Sequence, residues 1–345
     1  MGVLLLAWCV VSLWSEPGAS VAARGGELAA RGDELQGVAW CHALLDSPGF
    51  RASDAPEEIS SISRELVLEL LSGMVEQPRS NCAAAGLGWP AHSEPLLYLA
   101  AAALRSRPAL CRAFWDDVAA SRPLSHLLHH ARYPLRAAPL PTLLAALGAD
   151  AEGAQRAWAF AHQLWRLCHL VPRHEMSLFG VRRLAPTAGG LVQLQLDGTR
   201  RLGEPPLTLP DGCSGLELEP ETNHDDAKGA GHTLVLWNPS EAEALDIAPL
   251  LRAAVHAAVT AGAAASAECR GAAAAALSLL ALAAKAHSAE EVAAMVPPPQ
   301  ELTALLLQCA VDAAARGGSA DGGSAPAPQS LLLPCLELLA SLAPP

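Results

Sequence analysis

From Gly189 to Asn238 the period of the sequence changes, and that change limits what the chain can fold into. On either side the sequence reads as helix after helix, rich in Ala and Leu, both strong helix formers. Inside the stretch, Leu191-Val192-Gln193-Leu194-Gln195-Leu196 alternates apolar and polar residues. So do Leu207-Thr208-Leu209, Leu216-Glu217-Leu218-Glu219 and Thr233-Leu234-Val235-Leu236-Trp237. Asp197-Gly198, Pro205-Pro206, Pro210-Asp211-Gly212 and Gly229-Ala230-Gly231 punctuate the runs with turn chemistry. Alternation bounded in this way marks short strands that bury one face, and about four of them would close into a small barrel or curled sheet. The expected core of this β module is Leu194, Leu207, Leu209, Leu216, Leu218, Leu234, Leu236 and Trp237.

The flanks are read from their punctuation. Helices are expected over Val3–Leu13, Ala19–Ala30 and Glu34–Leu45. A capping box, Asp54-x-x-Glu57, opens a long helix with the apolar stripe Ile59, Ile62, Leu66, Leu70 and Met74. Prolines at first turns, where no intrahelical donor is needed, start Pro95–Arg105, Pro108–Val118, Pro123–Arg132 and Pro139–Leu147. Ala154–Val171 carries Trp158, Ala161, Trp165 and Cys168 on one helical face. Beyond the module, Ser240-x-x-Glu243 caps a helix reaching Ala261, followed by Ala264–Ala286, a short helix capped by Ser288-x-x-Glu291, then Pro298–Ala315 and Leu331–Leu342. Gly317–Pro328 is low-complexity Gly/Ser/Ala/Pro and reads as a flexible loop, 316–328. Short Pro/Gly links between helices suit stacked helical pairs, and no fixed-length repeat occurs. The expected fold is therefore mostly α: an irregular α-solenoid over 1–180, the β module over 181–239 and a continued solenoid over 240–345.

Composition narrows the function. Hydrophobic residues make up 51% of the chain but aromatics only 4%, and at 17% charged residues much of its surface is expected to be covered. A net charge of −12 repels phosphate backbones and no Lys/Arg stripe offsets it, which excludes nucleic-acid binding. The nine cysteines (Cys9, Cys41, Cys82, Cys111, Cys168, Cys213, Cys269, Cys309 and Cys335) are scattered and never spaced Cys-x-x-Cys. They fit a reducing compartment better than a disulfide framework. Met1–Ser15 is apolar, yet no Lys or Arg precedes it and Trp8 and Trp14 are bulky, so it reads as a buried helix before a signal peptide. It and Gly271–Ala284 are short for a membrane span, and no transmembrane segment is expected.

The search for chemistry ends without a site. His126 and His130 lie one helical turn apart with His129 between them, but no Glu accompanies them as in His-Glu-x-x-His, and a third ligand is missing. Cys41-His42 and Cys168-His169 are neighbours whose side chains diverge on a helix. Asp116-Asp117 and Asp225-Asp226 read as solvated carboxylates. Gly212-Cys213-Ser214-Gly215 lacks the spacing of a nucleophile elbow, and no phosphate-binding glycine motif occurs. Pro297-Pro298-Pro299 reads as a helix boundary, and Trp237, the lone aromatic between Gly180 and Asn238, does not line a proline-reading groove. No catalytic, cofactor-binding or metal-ligating residue is expected, and neither is a small-molecule substrate.

The order of elements then resembles a known family, the large inner-ring scaffold nucleoporins of the nucleoporin 188 type. Leu4-Leu5-Leu6-Ala7-Trp8, Glu34–Ser47 (ELQGVAWCHALLDS), Phe114-Trp115 and Tyr133-Pro134-Leu135 resemble successive parts of its N-terminal half. Leu207–Leu218 (LTLPDGCSGLEL) with Leu234–Trp237 resembles its inserted SH3-like barrel, and Pro297–Ala314 resembles a helix shortly after it. The resemblance implies a HEAT/ARM-like solenoid with an inserted SH3-like β-barrel, no catalytic residues, and a structural role in the nuclear pore complex at the nuclear envelope. There it would support protein import and RNA export by binding other scaffold and linker nucleoporins. The chain would be an internal piece of such a protein, with Asn223–Gly231 as an insertion. The alternatives are a generic HEAT/ARM-type adaptor and, third, a secreted or metal-dependent enzyme using His126 and His130.

Overall fold

Pro108 has no backbone donor to lose, and it begins a helix in the structure as it does in the sequence reading. The structure is a computed structural model. It describes residues 37–47, 57–76, 93–119, 124, 127–128, 131–162, 164, 167–178, 180–186, 192–202, 207–218, 232–238, 247–286, 296–298, 300–307, 331, 335–336 and 338–340. The chain divides into two compact units: Met1–Ala131 with Ala146–Gly153, and Arg132–Ala145 with Ala154–Pro345.

The first unit contains α1 (Gly37–Leu45), α2 (Glu57–Glu76), α3 (Ser93–Leu104) and α4 (Pro108–Ala119). Its centre is α3, where Leu96, Leu97 and every residue from Leu99 to Leu104 are at most 3% exposed. Both α1 and α2 pack on α3. The last carbonyls of a helix lack intrahelical donors, and here a buried arginine supplies them. Arg64 of α2 donates from Nη1 to the carbonyls of Ala102 and Ala103, while its Nε reaches Ser60 Oγ at 3.3 Å. Burial, then the charges of Arg107 and Arg105, lower the Arg64 pKa. Ser106 turns the chain at φ 59°, a left-handed conformation usual just past a helix end. This arrangement corrects the expected stripe of α2. Ile59 and Ile62 are exposed, at 54% and 55%, and the inward residues are Ser60, Arg64, Leu68, Leu70 and Leu71. Docking Arg64 on the end of α3 sets that rotation.

The division between units falls within α5 (Pro139–Leu147) and α6 (Ala151–His162). The second unit then builds a five-stranded antiparallel sheet from β1 (Leu167–Pro172), β2 (Val181–Pro186), β3 (Val192–Leu196), β6 (Ser214–Leu218) and β7 (His232–Asn238), in the order β1-β7-β6-β3-β2. A separate hairpin pairs β4 (Arg200–Leu202) with β5 (Leu207–Leu209). A short helix, α7 (Arg173–Leu178), connects β1 to β2. The register places Leu167, His169 and Val171 of β1 opposite Trp237, Val235 and Thr233 of β7, and Gly215 of β6 between Trp237 and Leu194 of β3. This interior face is dry: Leu167, His169, Val171, Leu194, Leu196, Val235 and Trp237 are all 0% exposed. The outer side of β1 is partly covered, since Cys168 N donates to Tyr133 O at 2.8 Å and Leu135 N to Cys168 O at 3.0 Å. β2 is the other edge strand.

Helix resumes with α8 (Ala248–Ala261), a 3-10 turn at Gly262–Ala264, and α9 (Ala267–Ala286). α8 packs on α9, whose residues Ala272–Leu277 and Leu279–Ala283 are buried. Within α9 the window Ala267–Ala284, with mean hydropathy 1.4, is long and apolar enough to cross a membrane, the one such helix among the described residues. Most of that window is buried inside the protein, as for the core helix of a globule.

Two expectations need correction. The HEAT/ARM-like solenoid is not what the helices form, while an open antiparallel sheet stands where the β module was expected. A solenoid helix buries one stripe in a stack of like neighbours. Instead α3 and α9 are buried around most of their circumference, with α1, α2 and α4 packed on α3 and α8 on α9. Second, the helix expected over Ala154–Val171 stops at His162, and Leu167–Pro172 is a strand. Nearly every side chain of that strand is buried, so it shows no alternation to distinguish it from the end of a buried helix.

Candidate functional site

Glu217 and Thr233 occupy polar positions on the interior face of the sheet, which also carries His169 and Arg183. In β6, Glu217 pairs with Val235 of β7, and Thr233 lies two residues earlier on β7, opposite Val171. Alternation therefore aims both side chains to the side that holds Trp237 and Val235. They stand at the end of that face where the chain leaves β1. There α7 brings Arg173 and Met176 over the sheet, and β2 contributes Val181 and Arg183. Together these residues line a cavity of about 620 Å³, within the usual size range of ligand pockets.

The cavity is electrostatically unbalanced. Arg183 Nη2 donates to Glu217 Oε1 at 3.0 Å, so those two charges offset each other. Glu217 Oε2 is buried with no hydrogen-bond partner, and so is Thr233 Oγ1, whose residue is only 4% exposed. Each such atom costs about 1–3 kcal/mol of desolvation that no protein contact offsets. Arg173 is exposed on α7 and carries the uncompensated positive charge of the lining. The site presents one cation, one half-used carboxylate and one hydroxyl around an apolar floor of Met176 and Val181.

The residues singled out in the sequence scatter relative to this cavity. Leu194 and Trp237 lie on the interior face and Leu209 of β5 is buried as well, each at 0% exposure. Leu236 is 1% exposed but points the other way from Trp237, as adjacent strand residues must. Leu216 pairs with Leu236 on that opposite face, and both Leu216 and Leu234 are half-buried. Leu207 and Leu218 hold their strand positions, with side chains outside the described residues. His126, His129, His130, Asp225 and Asp226 also lie outside the described residues. His42 meets Tyr98 edge-on at 6.4 Å. Cys168 and His169 are both buried and face opposite sides of β1. Asp117 accepts from Leu124 N at 3.1 Å. Cys213 is buried, its thiol donates to Asn238 O at 3.5 Å, and burial pushes its pKa up to about 12, so it is a neutral thiol and not a nucleophile. Among the described residues no three His, Cys, Asp or Glu side chains gather to hold a metal ion.

Sequence reasoning missed Arg173, Arg183, Glu217 and Thr233. In Leu216-Glu217-Leu218-Glu219 the leucines read as the buried face and the glutamates as solvated. The hidden signal lies across the sheet: Glu217 shares its face with Gly215, which accommodates Trp237, and only the register reveals that the face is interior. The chain matches no protein-family model and no curated protein.

Proposed function

We propose that the chain is a non-enzymatic structural constituent of the nuclear pore complex inner ring, of the nucleoporin 188 type, acting through contacts with other scaffold and linker nucleoporins. One observation carries the reading: among the described residues a β region, a five-stranded antiparallel sheet with a separate hairpin, stands in the chain between two helical stretches and contains the segments that resemble that family. Leu207–Leu218 forms β5, a turn and β6, and Leu234–Trp237 lies in β7. Exposed large apolar side chains add support. Trp40 and Leu44 on α1 are 65% and 53% exposed, and Ile59 and Ile62 on α2 are comparable. Aromatic and aliphatic side chains displayed on helices are the chemistry of protein–protein contact. The role would be to hold neighbours in the pore wall at the nuclear envelope, supporting protein import and RNA export without a cofactor.

Affinity purification of the tagged full-length gene product tests the partner claim. Scaffold nucleoporins are expected in near-stoichiometric yield after washing. A preparation in which no nucleoporin exceeds the untagged control would refute it.

A further inference from the structure

We propose that the cavity beneath α7 is a binding site for an acidic peptide segment of a partner protein. The inference rests on the cavity alone and stands or falls separately from the scaffold reading. Three groups define the ligand. Arg173 supplies a positive charge that the lining leaves uncompensated. Glu217 Oε2 is a buried acceptor awaiting an N–H or O–H donor, because Oε1 is already taken by Arg183. Thr233 lines the same space, and its Oγ1 is buried, without a hydrogen-bond partner, and able to donate or accept. A ligand that satisfies all three carries a carboxylate and, a few ångströms away, an N–H. A glutamate or aspartate within a peptide has both, its side chain meeting Arg173 and its backbone amide meeting Glu217.

A peptide is favoured over a free amino acid by the strand at the rim. Val181 and Arg183 line the cavity and belong to β2, an edge strand whose outer side has no strand partner among the described residues. An extended segment can add to such an edge through its main chain while placing one side chain in a neighbouring pocket. On the β2 edge Arg182 pairs with Asp197 and Arg183 with Glu217, each at 3.0 Å, so the preference for an acidic segment at this rim comes from Arg173. In a protein of net charge −12, a locally positive cavity selects by sign.

Fluorescence anisotropy with the full chain at low ionic strength tests this. The probes are a labelled, N-acetylated glutamate-rich octapeptide, its glutamine counterpart, and N-acetylglutamate as competitor. The glutamate peptide is expected to bind and the glutamine peptide to bind at least about tenfold more weakly, since charge-assisted hydrogen bonds are the strong ones. Arg173→Ala, which breaks no ion pair among the described residues, and Thr233→Val, which keeps the side-chain shape, should each weaken binding about tenfold with circular dichroism unchanged. No binding of the glutamate peptide, equal binding by both peptides, or variants that bind as tightly as the unsubstituted chain would overturn the proposal. So would N-acetylglutamate binding as tightly as the peptide, because the ligand would then be a small acid.

Discussion

Gly215 has no side chain because Trp237 occupies the space where one would stand. A Cβ there would lie 2.7 Å from Trp237 Cε3 and 3.1 Å from Val235 Cγ1, both rigid atoms in a dry interior. Gly215→Ala should destabilise the second unit by about 1–3 kcal/mol through overpacking, read as a lower urea midpoint. Gly271, inside α9, is the opposite case: the nearest atom to an added Cβ is that of Ala138 at 4.0 Å. Gly271→Ala should raise stability by about 0.5–1 kcal/mol, since alanine loses less backbone entropy in a helix, and thermal unfolding would show it. Neither sign is legible in the sequence, where both glycines sit in ordinary element interiors; only the neighbour across the gap distinguishes them. The buried thiols give a pH dependence. Burial raises Cys111 to about 11 and Cys213 to about 12, against an ordinary 9.0. The native state therefore keeps these protons where the unfolded chain releases them. Their contribution is intact below about pH 9 and declines as pH rises through about 11 and 12. Urea midpoints measured across that range should fall, and substituting both cysteines by serine should flatten the decline.

At the scale of elements, punctuation was the readable part. Pro108 and Pro139 begin helices in the structure as in the sequence, α8 ends at Ala261 where the pattern places it, and the alternating runs at 191–196, 207–209, 216–219 and 233–237 overlap the strands Val192–Leu196, Leu207–Leu209, Ser214–Leu218 and His232–Asn238. The strands without alternation were not readable. β1 is buried along both faces, β2 carries adjacent arginines at a sheet edge, and β4 is only Arg200–Leu202. The rotation of α2 was equally hidden, because an apolar stripe through Ile59 and Ile62 satisfies helical spacing, while the real inner face includes an arginine whose role depends on α3. Arg64→Met should remove donors from the Ala102 and Ala103 carbonyls and destabilise the first unit by about 1–3 kcal/mol. Hydrogen exchange in the last turn of α3 should speed up in that variant while the β sheet is unaffected. Uniform exchange across the whole chain would mean that Arg64 does not act at that helix end.

For the whole molecule, composition read the balance of forces but not the architecture. Abundant Ala and Leu predict many helices, and the stretch around Gly189–Asn238 predicts one β module, yet neither decides whether helices stack in a row or gather around buried ones. The burial of α3 and α9 nearly all round settles that against a solenoid. What survives for function is, among the described residues, a mostly helical protein with a five-stranded sheet and a hairpin, exposed apolar side chains on α1 and α2, and a charged cavity at the end of the sheet. These features suit a part that holds others in place. The most direct test is the position of the full-length gene product, tagged at its own locus and imaged beside a nuclear-envelope marker. The scaffold account predicts a punctate nuclear rim that persists after detergent extraction of soluble protein. A diffuse cytoplasmic signal, or release into the medium, would contradict it.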